Sequence, residues 1–189
     1  AEVFIGGYQK WGDELFEKLE GMFSVNIYDK SHKITLARDR FGIKPLFYYL
    51  DDDKLFFSSE FYSLYKLVKN FKNKLEINNE SLENFLFGPF NFSSNSLIKN
   101  IKKLEPGNLM SVNKDFKVIK KKYWEAVFTE EYMSFEQAKE KFDDLINTSM
   151  EKHLISDVPI ATMYSGGIDS SLITKLASMK NQNITSITA

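Results

Sequence analysis

The sequence runs to 189 residues with 25 Lys and Arg against 26 Asp and Glu, and its formal net charge of −1 and isoelectric point near 6.2 leave no global field to favour nucleic acid or an anionic membrane. An apolar content of 43% is ample for a core, in one large or two small domains. The absence of cysteine excludes disulfides, thiolate metal sites and any thiol nucleophile.

No stretch approaches the roughly 20 apolar residues of a membrane span, and no targeting segment opens the chain, so a cytoplasmic address is the default expectation. The first residue, Ala1, is not Met and already lies in a helical pattern, which leads us to expect a fragment. Val3, Phe4, Tyr8 and Trp11 recur at helical spacing up to Gly12. Asp13 can then cap a second short helix with Leu15, Phe16 and Leu19 on one side, ending at Gly21. The period changes to two at Phe23, Val25 and Ile27, turns at Asp29 to His32 and resumes at Ile34 and Leu36, the pattern of a hairpin. Leu46 to Leu50 and Leu55 to Phe57, around the turn Asp51-Asp52-Asp53, predict a second hairpin. Between them, Arg38-Asp39-Arg40-Phe41-Gly42-Ile43-Lys44-Pro45 reads as a strand end and tight turn fixed by internal ion pairs rather than as a ligand site.

Asn78 or Asn79 can cap a helix through Leu86 that Gly88-Pro89 breaks, and Asn91 to Asn95 reads as polar loop. Pro106-Gly107 introduces a third hairpin, Leu109 to Val112 and Val118 to Tyr123, turning at Lys114-Asp115, with Lys120 to Lys122 as a solvated strand end. The two histidines, His32 in a turn and His153 near a helix end, suggest no metal cluster. The main boundary falls near Glu125 to Met133. Beyond it Ser134 and Gln137 form a capping box for a helix with Ala138, Phe142, Leu145 and Ile146 on one face. Ile160 to Met163 predicts a strand, Leu172 to Lys180 a helix and Ile184 to Thr188 a further strand, a β-α-β unit whose ligand would sit at the carboxyl ends of its strands.

Where that strand gives way to that helix stands Ser165-Gly166-Gly167-Ile168-Asp169-Ser170-Ser171. A helix start offers unpartnered N–H groups and partial positive charge, which suit an anion. Gly166 and Gly167 permit φ > 0 and close approach, and Ser165, Ser170 and Ser171 offer hydroxyls to phosphate oxygens. Asp169 would be repelled by a polyphosphate without an intervening cation, so it reads as a Mg²⁺ ligand, direct or through water. The spacing fits neither a Walker loop nor a dinucleotide fingerprint. It resembles the pyrophosphate loop, Ser-Gly-Gly-x-Asp-Ser, of enzymes that split ATP between the α and β phosphates; the plainer alternative is a Ser/Gly turn that ends a strand and caps a helix.

The order of motifs resembles glutamine-dependent asparagine synthetase, through Leu19 to Ser24, Arg38 to Leu46, Ser59-Glu60, Pro106-Gly107, His153 to Pro159 and Ser165 to Ser171. The resemblance implies α+β followed by α/β: an antiparallel Ntn-hydrolase-type (αββα) portion of a glutaminase domain over residues 1–125, then the first β-α-β unit of a Rossmann-like synthetase domain over residues 126–189. It implies an enzyme that takes ammonia from glutamine and joins it to aspartate through β-aspartyl-AMP, with ATP as substrate and Mg²⁺ as cofactor. Ser165, Gly166, Gly167, Asp169, Ser170 and Ser171 would hold the departing pyrophosphate and its metal, and the main chain of Met163 the adenine. Its partners would be small molecules, without nucleic acid or membrane, and a homodimer stays open. The family's N-terminal Cys nucleophile is not matched, since residue 1 is Ala, so none of the glutaminase catalytic residues is expected here and the piece alone should be inactive. A β-lactam-synthetase-like ligase with another acceptor, or a non-catalytic nucleotide-binding module, would share the same loop.

Overall fold

A computed structural model describes residues 2–72, 74–88 and 93–188, in two compact units, residues 1–127 and 128–189. Ala1, Pro89, Asn91 and Phe92, on which the expected chain start, helix break and part of a loop rested, lie outside the described residues.

The first unit opens with α1 (Glu2–Trp11), a turn of 3-10 helix (Gly12–Glu14) and α2 (Leu15–Lys18). Asp13 lies inside that turn instead of ahead of a helix, and neither helix start has a side-chain cap. Its carboxylate accepts from the Tyr8 hydroxyl at 3.1 Å and pairs with Lys33 at 3.2 Å, so the expected cap is replaced by a tether from α1 to the sheet. Strands β1 (Ser24–Tyr28), β2 (Ile34–Arg38), β3 (Phe47–Leu50) and β4 (Leu55–Ser58) form the two predicted hairpins, which join different sheets. They are followed by α3 (Phe61–Phe71), α4 (Asn79–Phe87), β5 (Ile101–Lys103), β6 (Asn108–Val112) and β7 (Val118–Lys122). Asn78 caps α4 by accepting from the Ser81 amide at 3.2 Å. One sheet has the order β1-β2-β6-β7 and the other β4-β3-β5, both antiparallel throughout.

Alternation along the strands sorts the core into three seams and the unit into four layers. Leu36, Met110 and Val112 from the first sheet meet Tyr48 from the second, with Leu46 and Leu104, between the sheets. Their sequence neighbours Ala37 and Leu109 point the other way, onto Phe16 of α2 and Phe4 and Tyr8 of α1. Tyr49 and Ile101 turn outward from the second sheet onto Leu64 and Val68 of α3. The layers therefore run helix, sheet, sheet, helix. The first hairpin's apolar residues do not share one face: Val25 and Ile27 look to the helices, whereas Ile34 and Leu36 look to the other sheet. Strand β7 is exposed along its length, and Lys120, Lys121 and Lys122 are held singly, by the Tyr48 hydroxyl, Glu17 and Glu125.

The second unit begins with α5 (Phe135–His153), where both bonds of the Ser134/Gln137 capping box form, at 2.9 and 3.2 Å. Strand β8 (Ala161–Met163) leads into α6 (Ile168–Lys180), and β9 (Thr185–Ile187) returns parallel to β8. Helix α6 begins four residues ahead of the expected Leu172, because Asp169, Ser170 and Ser171 are helical without adding to an apolar period. A 2.7 Å ion pair between Lys180 and Glu151 links α6 to α5.

Candidate functional site

The turn from β8 to α6 gathers most of the residues singled out in the sequence. Past Met163 the ladder persists for one more residue, with the Tyr164 amide donating to the Ile187 carbonyl at 2.8 Å. Gly166 then adopts φ +79, in the left-handed region that glycine enters without strain, with open space where a Cβ would stand. Gly167 takes the N-cap position at φ −77 and ψ 166, angles open to any residue, and no side chain caps the helix. The first bond of the helix is donated by the Ser171 amide to the Gly167 carbonyl at 3.0 Å. The amides of Ile168, Asp169 and Ser170 therefore precede the intrahelical ladder, at the positive end of the helix dipole.

Around these amides the hydroxyls are already engaged. Ser170 and Ser171 donate to the Gly167 carbonyl at 3.1 and 2.7 Å, and Ser165 lies 3.0 Å from Ser170. A hydroxyl has one proton, so Ser170 and Ser171 would have to rotate to donate to a bound anion, whereas the amides need no rearrangement. Asp169 is exposed in the first turn of α6, and Met163 is 73% exposed at the end of β8. No group of three or more His, Cys, Asp or Glu gathers among the described residues, so Asp169 belongs to no cluster of that size.

One group of side chains behind the turn was not foreseen. Thr162, buried in the middle of β8, accepts from the Thr174 hydroxyl of α6 at 3.2 Å and lies 3.1 Å from the Ser186 hydroxyl of β9. The only trace in the sequence is a Thr flanked by apolar residues in a predicted strand.

Comparison with known proteins covers both units. The family model described as glutamine amidotransferase domain matches residues 1–124. The chain belongs to that family. A second family model, asparagine synthase, matches residues 141–189. Asparagine synthetase [glutamine-hydrolyzing] 1 of Bacillus subtilis is 35% identical over 94% of this chain and 28% of its own length. Two putative asparagine synthetases [glutamine-hydrolyzing] of Methanocaldococcus jannaschii are 37% and 32% identical, over 94% and 92% of this chain and 30% and 34% of their own. The chain thus spans about a third or less of the curated relatives it matches, and the resemblance read from its motifs extends along nearly all of it. A solved glutamine phosphoribosylpyrophosphate amidotransferase from B. subtilis aligns with 95% of the chain and 35% of its own at TM-score 0.41 and 11% identity, a likeness too slight to carry an argument.

Within the amidotransferase-domain part, the loop after β2 is fixed by main-chain groups and not by the expected ion pairs. The buried Asp39 carboxylate accepts from the amides of Phe23, Phe41, Ile43 and Lys44 at 3.3, 3.2, 3.0 and 3.0 Å. The guanidinium of Arg38, also buried, donates to the carbonyls of Lys44 at 2.8 Å, Leu104 at 2.7 Å and Gly42. Asp39 stands just past the end of β2, and each of the two charges is met by main-chain dipoles of the same loop. Burial pushes the guanidinium below its ordinary range, with neighbouring Asp39 acting the other way. The Tyr123 hydroxyl donates to the Arg38 carbonyl at 2.6 Å, and burial first, then Asp39, raises its pKa to about 12.

Proposed function

We propose that this chain forms part of an enzyme that makes asparagine from aspartate, with ATP cleaved to AMP and pyrophosphate and ammonia drawn from glutamine. Residues 1–125 would belong to its glutaminase domain and residues 126–189 to the start of its Rossmann-like synthetase domain. The observation that supports the ATP site most is the uncapped start of α6, three residues after β8 and Tyr164, reached through a glycine at φ +79. Three amides there offer fixed donors for negative charge developing on a departing pyrophosphate. Ser165, Ser170 and Ser171 would add hydroxyls, Gly166 and Gly167 would let phosphate approach the main chain, and the Met163 backbone would face the adenine.

The donor set also suits magnesium, which commonly takes one or two carboxylates and completes its shell with water and phosphate oxygens. Asp169, one exposed carboxylate beside amides that would hold the phosphates, fits that role. Magnesium bound there would neutralise charge on the leaving group. The amidotransferase-domain portion would contribute to ammonia supply, but these 189 residues contain no thiol, so this polypeptide by itself should release no ammonia from glutamine.

The test is product analysis on the full-length polypeptide supplied with ATP, magnesium, aspartate and ammonia. AMP, pyrophosphate and asparagine should form in equal amounts, and Asp169→Asn should lower the rate by about a hundredfold, the scale of one lost electrostatic contact in a transition state. Formation of ADP and phosphate, or AMP release indifferent to aspartate, would overturn the proposal.

A further inference from the structure

Resting on the pyrophosphate-loop reading, we infer that Thr174 is a positioning residue: its bond to Thr162 sets where the first-turn amides of α6 stand relative to the end of β8. Helix α6 meets β8 through Thr174, with the buried Ala177 one turn further on. Small side chains interlock less than a large knob in a hole would, which leaves more of the alignment to polar contacts. Hydroxyls supply the missing marks. Ser170 and Thr174, one helical turn apart, form two rungs on the same face. The upper rung joins Ser170 to Ser165 at 3.0 Å, within the turn itself. The lower rung joins Thr174 to Thr162 at 3.2 Å, and Thr162 is tied in turn to Ser186 at 3.1 Å.

The lower rung differs from the upper in its anchor. Thr162 and Ser186 face each other in a parallel strand pair whose register is fixed by the ladder, so Thr174 is bonded to a strand that its neighbour holds in place. Ser165 belongs to the turn whose geometry is to be held. Losing the Thr174 hydroxyl would leave Thr162 still bonded to Ser186, with no buried polar atom orphaned. The fold should survive the change while the amides lose their reference to the strand.

The experiment compares magnesium pyrophosphate and AMP as ligands of the full-length polypeptide by titration calorimetry, with Thr174→Val and Thr174→Ser, and with Thr174→Ala if the valine variant does not fold. Pyrophosphate reads the amides at the helix start, whereas AMP reads the strand main chain. Removing the hydroxyl should weaken pyrophosphate about tenfold, leave AMP within about twofold, and be rescued by serine, since a misplacement well under 1 Å costs less than the hundredfold of a full ångström. Equal affinity for pyrophosphate with and without the hydroxyl, or parallel loss of both ligands, would overturn the inference. Failure of the unaltered protein to bind pyrophosphate would instead overturn the loop reading on which it rests.

Discussion

Gly42 occupies the left-handed region at φ +64, and a Cβ there would stand 2.7 Å from the Arg38 guanidinium carbon and 2.9 Å from Pro106. Gly42→Ala should therefore destabilise the first unit by about 2 kcal/mol or more, from conformational strain and from displacement of the guanidinium off its carbonyls, read as a lower urea midpoint with unchanged slope. The charge state of Tyr123 makes a second prediction. Its folded pKa of about 12 lies above the ordinary phenol value of roughly 10, so the neutral form is the one the fold prefers. Its contribution is complete below about pH 10 and is lost as pH rises from there through 12. Tyr49, raised by burial and by its bond to Asp51, acts in the same direction. Tyr123→Phe should lower stability at neutral pH by about 1 kcal/mol for the lost bond to Arg38 and flatten the alkaline decline, measured by denaturant melts across that window.

Helix α5 shows how far a local signal can go, since both halves of its cap lie within four residues and need no tertiary partner. Ser134→Ala should cost about 1 kcal/mol and raise amide exchange over the first turn of α5, with α6 unaffected. The hairpins β1-β2, β3-β4 and β6-β7 were legible for a related reason, because turn chemistry and a period of two are both short-range. Helix α3 was not. Its Phe, Tyr and Val residues favour strands intrinsically, and that preference masks a helical period, Phe61, Leu64, Tyr65 and Val68, whose four side chains all pack on the second sheet. Strand β5 is three residues long, too short for alternation to register. In the loop after β2 the adjacency of Arg38 and Asp39 suggests pairing, but each charge finds main-chain carbonyls or amides of residues 42–44 within reach, which no sequence spacing encodes. At the candidate site the turn itself was legible from its glycines and flanking periodicities. The Thr162, Thr174 and Ser186 group was not, since it joins three elements whose contact no spacing encodes.

At the scale of the whole molecule, each compact unit has its own sheet system, antiparallel and four-layered in the first, parallel in the second. The sandwich imposes a condition on its middle. Strand β6 is buried at every position and β2 at all but Ile34, since one face of each meets helices and the other meets a sheet. A strand hidden on both sides has no wet edge of its pattern to say which residue is up, so its apolar residues alone do not fix the alignment. Polar marks tell the pair its place: the buried Arg38 guanidinium on its carbonyls at one end and, mid-strand, Thr35 opposite Ser111 with their hydroxyls 3.0 Å apart. A shift would part the two; Thr35 keeps a second partner in the Tyr8 hydroxyl at 3.2 Å, whereas Ser111 would be left against aliphatic neighbours, at about 1–3 kcal/mol. Replacing both by valine should thus leave a protein of near-normal stability that refolds into more than one species, seen as doubled amide resonances along β2 and β6, whereas a single sharp set would mean that Arg38 and the loops enforce the alignment.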